Sequence, residues 1–368
     1  MNQKIRTIGC VILVAVWAVL VGCAWFGSAK TQSEAERRPL AQMPEVSGGS
    51  LLSGKFMTAF EDYTLDQFPW RDGFRTLKSL FHYGIFNQKD NNDIYLVDGY
   101  AAKLEYPVNM QQVNHGTNVF NRIYEQYLKD TGSVVFTSVI PDKGYYLAQQ
   151  NGYPAMDYEA MFAAVQQNMP WATYVDITGC LDITDYYFTD THWRQEKLLP
   201  VAQKLAQAMG TTVPQAEDFR MSAVERPFYG VYYGQAALPL NAETMYLMES
   251  DLLAECQVLN HENGKYMPVY DSAMLQSRDL YDMYLAGSKS LLTIENPNAT
   301  TDRELIIFRD SFGSSLAPLL VQDYKTVTLV DVRYLNSTVL GQYLDFHGQD
   351  VLFLYSTLVL NSDTQRMQ

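Results

Sequence analysis

The segment 304–355 constrains the fold of this chain more than any other stretch. Strand-length apolar runs at 304–308, 326–332 and 350–355 are separated by helix-like stretches at 313–322 and 339–346. Strands that alternate with helices form a parallel sheet, and the crossovers between them are right-handed. The run 133–141, Ser-Val-Val-Phe-Thr-Ser-Val-Ile-Pro, is continuously apolar and rich in β-branched residues, as in a parallel strand buried on both faces. It opens the α/β core, and 172–177 reads as a further strand. Helices are expected over 108–130, where Val113, Phe120, Ile123 and Tyr127 keep a helical repeat, and over 158–169. A third runs to Met209 and is closed by Gly210. Pro200 inside it means that this helix is either kinked there or begins near it. The predicted class is therefore α/β, a parallel sheet with helices on both faces.

The residues ahead of this core divide into three parts. Lys4 and Arg6 precede a charge-free run over 8–26, about the ~20 residues that a helix needs to cross a bilayer. Residues 1–30 thus read as a membrane anchor. The positive flank stays cytoplasmic, so the remainder of the chain lies outside as a single-pass protein. An alternative reading takes Leu20-Val21-Gly22-Cys23 as a lipobox with Cys23 lipidated; Trp25 and Phe26 continue the apolar run beyond it, which suits a span better. Residues 31–55, with Pro39, Pro44 and Gly48-Gly49, form a linker. The third part, 56–368, is one domain with an insertion of short strands and loops at about 211–300. Within it, 56–81 is helical with a break at 68–72, and a strand at 93–97 ends in the turn Asp98-Gly99. Cys180 and Cys256 either pair or remain buried thiols.

Lys and Arg number 27 against 41 Asp and Glu, a net charge of −14 with no basic cluster. This argues against a nucleic-acid partner, which draws on Lys and Arg clusters.

Two short segments carry chemistry. Ser311 falls between the strand at 304–308 and the next helix, at the sheet edge where α/β proteins bind ligands. The N–H groups of that helix are placed to stabilise an oxyanion. Serine at such a point is also an ordinary helix cap. Asp190 and His192 lie two residues apart on one loop; a serine needs a base, and a histidine base needs a carboxylate to fix its tautomer. Taken singly, Asp190 is a cap and His192 a satisfied histidine. Taken together, the three residues make one catalytic set. A metal site would need ligands from His82, His115, His261 or His347, and none has a recognisable spacing. No metal or cofactor is called for. The aromatic stretches Tyr186-Tyr187-Phe188 and Phe228 to Tyr233 are suited to stacking on sugar rings or to core packing.

Asp190-Thr191-His192-Trp193 followed by Arg309-Asp310-Ser311-Phe312 resembles the bacterial DHHW family, related to the alginate O-acetylation proteins of the AlgJ and AlgX type. The match extends over 60–71, Ile140-Pro141-Asp142-Lys143 and Asp331-Val332-Arg333-Tyr334. The resemblance implies an SGNH-hydrolase-like, flavodoxin-like fold with the aspartate–histidine block first and the serine last. It implies Ser311 as nucleophile, His192 as base and Asp190 as orienting carboxylate. By position in the family, Lys143 and Arg333 are candidates for holding substrate; Tyr187, from the aromatic stretch suited to stacking on sugars, and Trp193, which is better suited to packing, are further candidates. The implied activity is extracytoplasmic O-acetyl transfer or acetyl-ester hydrolysis on cell-envelope polysaccharide, alongside a membrane-bound O-acyltransferase. The rival expectation is a non-catalytic glycan-binding or scaffold subunit. Thr191 stands where the family name has a second histidine, and Arg309 where the usual serine block has glycine.

Overall fold

The computed structural model describes residues 3–33, 35–212 and 215–368. Met1, Asn2 and Glu34 of the expected anchor and linker, and Val213 and Pro214 of the expected insertion, lie outside the described residues. The chain divides into a unit of residues 1–92 with 233–239, and a larger one of residues 93–232 with 240–368.

The larger unit is built on an eight-stranded sheet. In chain order its strands are β1 (Val134–Ile140), β2 (Thr173–Tyr174), β3 (Gln257–Asn260), β4 (Lys265–Met267), β5 (Leu291–Glu295), β6 (Glu304–Arg309), β7 (Thr326–Val330) and β8 (Asp350–Ser356). Their order across the sheet is β4-β3-β5-β7-β6-β8-β1-β2. The five strands from β7 to β2 are parallel, as the alternation at 304–355 requires, and β5, β3 and β4 extend the β7 edge antiparallel. These three come from the stretch read as an insertion, so part of that stretch completes the main sheet. Short antiparallel strands lack the long apolar signature of doubly buried ones, and the sequence therefore did not mark them.

Both faces of the sheet are covered. Leu305 and Ile307 of β6 pack with Leu352 and Leu354 of β8 against Val201 and Leu205 of the helix Leu199–Met209. The alternate residues Ile306, Phe308, Val351 and Phe353 face Phe120, Ile123 and Phe162 of the helices Met110–Ile123 and Tyr158–Asn168. Burial of each such side chain contributes about 1.5–3 kcal/mol, and period-two alternation on a doubly covered strand supplies both layers at once. Pro200 sits in the first turn of its helix, where a missing N–H costs nothing, and Gly210 caps it in the left-handed region.

Three elements are shorter than expected. The helix after Ser311 is Gly313–Leu316 and continues as a 3-10 turn over Ala317–Leu320, which holds Pro318. The stretch at 339–346 is a 3-10 turn, Ser337–Gln342, and the strand at 172–177 pairs only through Thr173–Tyr174. Cys180 and Cys256 are free thiols.

In the smaller unit, Gln3–Phe26 is one apolar helix long enough to cross a membrane. The helices Lys55–Asp66 and Arg71–Gly84 follow, separated by the break that contains Pro69.

Candidate active site

Ser311 occupies the turn that leaves β6. Its neighbour Asp310 is fully buried and fixes that turn: one carboxylate oxygen accepts the Phe312 N–H at 3.0 Å and the other the Ser356 N–H at 2.8 Å, at the end of the adjacent strand β8. Arg309 runs into the interior below, where burial lowers its pKa against the opposing pull of Asp331. Gly313 lies directly over it: a Cβ there would stand 2.8 Å from the Arg309 Cβ. The turn thus has no room for a side chain at position 313.

The structure brings Asp190 and His192 to this turn. His192 Nε2 lies 2.7 Å from Ser311 Oγ, and His192 Nδ1 lies 2.6 Å from Asp190 Oδ1. A carboxylate accepts only, so Nδ1 carries the ring proton and Nε2 is left to accept from the serine hydroxyl. Ser311 makes no side-chain cap on the short helix that follows. A four-residue helix also has little macrodipole to offer an oxyanion, contrary to the sequence expectation. Asp190 accepts two backbone N–H groups as well, from His192 at 3.0 Å and from Val231 at 2.9 Å. Its two oxygens are therefore engaged from different sides.

Aromatic packing holds the imidazole. The ring of Tyr281 stacks on that of His192 with centroids 3.9 Å apart and planes 11° from parallel, and Phe312 lies 4.7 Å away. The Tyr281 hydroxyl and Ser315 Oγ are 2.7 Å apart, and Ser315 Oγ accepts the Trp193 indole N–H at 2.9 Å. The ring that backs the histidine is thereby tied to the turn carrying Ser311.

The residues expected to hold substrate turn their polar atoms to the protein. Tyr187 and Trp193 are wholly buried; Trp193 donates to Phe312 O and Ser315 Oγ beside the serine turn, and Tyr187 packs on Phe228. Lys143 is also buried, and its Nζ donates to Tyr187 O at 2.9 Å and Phe188 O at 3.2 Å, fastening the approach to Asp190. Burial pushes its pKa down to about 7, opposed by the charges of Asp190, Glu243 and Asp142. Arg333 chelates Asp331 through Nε at 2.9 Å and Nη2 at 2.6 Å, and its pKa is raised. In each case the polar atoms are already engaged by the protein, so these are packing and positioning residues. Thr191 accepts from the Tyr232 hydroxyl at 3.2 Å.

Four residues of the site have no motif of their own. Glu243 accepts the N–H of Phe188 at 2.7 Å and of Thr189 at 2.9 Å, and Tyr281 backs the histidine. Val231 caps Asp190, and Gly230 allows it: a Cβ at 230 would lie 2.2 Å from the Asp190 Cα. The only sequence signal was the aromatic cluster Phe228 to Gly234, which gave no reason to pair it with a carboxylate forty residues earlier.

The fold is similar to those of known structures. A DHHW family protein from Eubacterium siraeum superposes with a TM-score of 0.59 at 18% identity, covering 75% of this chain and 94% of that one. Bacillus cereus PatB1, solved with a sulfonyl adduct, gives 0.60 at 17% identity over 75% and 98%. The O-acetyltransferase domain of Pseudomonas putida AlgJ gives 0.45 at 14% identity over 73% and 92%. At these identities the first two show the fold alone, an α/β architecture with a mostly parallel sheet. No curated protein matches in sequence. The DHHW protein family model matches residues 160–330, the segment that holds Asp190, His192 and Ser311.

Proposed function

We propose that this protein is a serine-dependent O-acetyltransferase or acetylesterase acting on cell-envelope polysaccharide from the outer face of a membrane. One observation carries the reading: the two ring nitrogens of His192 lie 2.7 Å from Ser311 Oγ and 2.6 Å from Asp190 Oδ1, with both contacts made through a single buried imidazole. In this scheme Ser311 Oγ attacks the acetyl carbonyl while its proton passes to His192 Nε2, and Asp190 stabilises the imidazolium. The leaving oxygen takes that proton, which leaves acetyl-Ser311 and a neutral ring. A sugar hydroxyl or water then gives its proton to Nε2 and attacks the ester, and Nε2 passes that proton to Ser311 Oγ as the acyl–oxygen bond breaks. The sulfonyl adduct on PatB1, a protein of the same fold, supports the reading, since sulfonyl reagents trap activated hydroxyl groups. The apolar helix Gln3–Phe26 supports a membrane tether, and a membrane-bound O-acyltransferase is the proposed source of acetyl groups.

The test uses the full chain in detergent with p-nitrophenyl acetate and a sulfonyl fluoride. We expect turnover, a sulfonyl mass increment on the Ser311 peptide, and a loss of about a thousandfold or more in Ser311→Ala. Turnover that survives Ser311→Ala would overturn the proposal. Wild-type protein with neither turnover nor labelling would favour the scaffold reading.

A further inference from the structure

The helix Arg71–Gly84 is amphipathic, yet the face it buries is the polar one. Arg71 pairs with Glu36 at 2.5 Å, and Arg75 pairs with Glu36 at 3.2 Å and donates to Gly234 O at 2.9 Å. Ser79 is fully buried and donates to Ala236 O at 2.8 Å. Residues 71, 75 and 79 are one helical turn apart and define a single inward stripe. Trp70, Phe74, Leu77, Leu80, Phe81 and Ile85 point the other way, each with 40–65% of its surface exposed. At 100° per residue these side chains share one sector that contains no charged residue. A helix that spends its polar face on the protein interior and keeps its aromatic face open has no explanation in the packing of its own unit.

We infer that this face lies in the interfacial layer of the bilayer that the N-terminal helix crosses. The inference rests on the reading of Gln3–Phe26 as a membrane anchor, and three observations commit it to lipid. First, the turn that leads into the helix is tied to the anchor's exit. Four residues beyond Phe26, the Lys30 N–H donates to Gln67 Oε1 at 2.8 Å, while Gln67 Nε2 donates to Lys30 O at 2.8 Å. Second, Cys23, Ala24 and Gly27 at the end of the anchor line one cavity together with Phe68, Trp70 and Gly73 at the start of this helix. Third, the chemistry suits a headgroup boundary. Trp25 and Phe26 are more than 80% exposed at the anchor's end, and the helix likewise exposes the aromatic side chains of Trp70 and Phe74. Aromatic and aliphatic side chains on one face of a surface helix bury at the acyl boundary while the opposite face stays outside it. Here that opposite face is occupied by the protein itself.

The experiment reconstitutes the full chain in phosphatidylcholine–phosphatidylglycerol vesicles that contain a lipid with a photoactivatable group on its acyl chain. After illumination and proteolysis, lipid adducts are mapped by mass spectrometry. We expect adducts on the peptide spanning 70–86 as well as on the anchor. In the triple variant Phe74→Glu, Leu77→Glu, Phe81→Glu, adducts on that peptide fall to background while those on the anchor remain. All three positions are exposed, so the melting temperature of the variant is expected to stay at the wild-type value, which separates lost contact from lost folding. Adducts confined to the anchor in wild-type protein would overturn the inference. So would a protein–protein crosslink through Phe74, Leu77 and Phe81 in the same vesicles, which would assign the face to a second copy.

Discussion

At the scale of single residues, the candidate site depends on two backbone positions as much as on its three functional side chains. Asp190 has one oxygen on the imidazole and the other on the Val231 N–H, so its rotation is fixed from both ends. That second contact exists because position 230 is glycine. A methyl group there would meet the Asp190 backbone, which cannot swing aside as a flexible side chain can. We expect Gly230→Ala to cost about 1–3 kcal/mol of stability by overpacking. We expect it also to reduce turnover of an acetyl ester by more than the loss of folded protein explains. Urea unfolding together with kinetics on the folded fraction tests this, and wild-type kinetics in folded Gly230→Ala would refute the positioning role.

At the scale of elements, the strand-to-helix turn after β6 is held by its neighbour as well as by its own sequence. Asp310 satisfies the N–H of Phe312 inside the turn and the N–H of Ser356 where β8 ends, so one carboxylate joins two parallel strands at the edge that bears Ser311. Asp310→Ala leaves both buried donors unpaired, at about 1–3 kcal/mol each. The expected outcome is a drop of about 2–6 kcal/mol in unfolding free energy, measured by denaturant titration. A change below about 1 kcal/mol would mean that water replaces the carboxylate. The strand and its serine were legible in the sequence because a doubly buried strand writes a continuous apolar run. The link to Ser356 was not, because Asp310 looks the same whether it faces solvent or a strand forty-six residues further on.

At the scale of the whole molecule, buried charge in the larger unit sets a pH dependence. Lys143 is buried, and its pKa is pushed down to about 7 from an ordinary value of 10.5. Between these values the unfolded chain holds a proton at this site that the folded chain has released. Stability due to Lys143 therefore rises with pH from about 7 to 10.5, by up to about 1.4 kcal/mol per pH unit. Below pH 7 both states carry the proton, and the full burial penalty applies. Comparing wild type with Lys143→Met by denaturant titration at pH 6.5 and 9.5 checks the sign: the difference should move in favour of wild type at the higher pH. A difference that does not change, or moves the other way, would mean that Lys143 stays protonated, held by the Tyr187 and Phe188 carbonyls.

The sequence by itself determined what local pattern can encode. The apolar runs at 133–141 and 304–355 specified the parallel strands, the charge-free run at 8–26 specified a membrane-length helix, and the spacing of Asp190 and His192 placed two partners on one loop. Only the tertiary structure decided which groups meet across long separations. It joined Ser311 to His192 across 119 residues and Asp190 to Val231 across 41. It also turned Tyr187, Trp193 and Lys143 inward, and it reversed the usual orientation of Arg71–Gly84 by giving Arg71, Arg75 and Ser79 partners in Glu36, Gly234 and Ala236. The physical reason is the same in each case. A periodicity states that one face of an element differs from the other, while the choice of which face is buried depends on the partners that the rest of the chain brings to it.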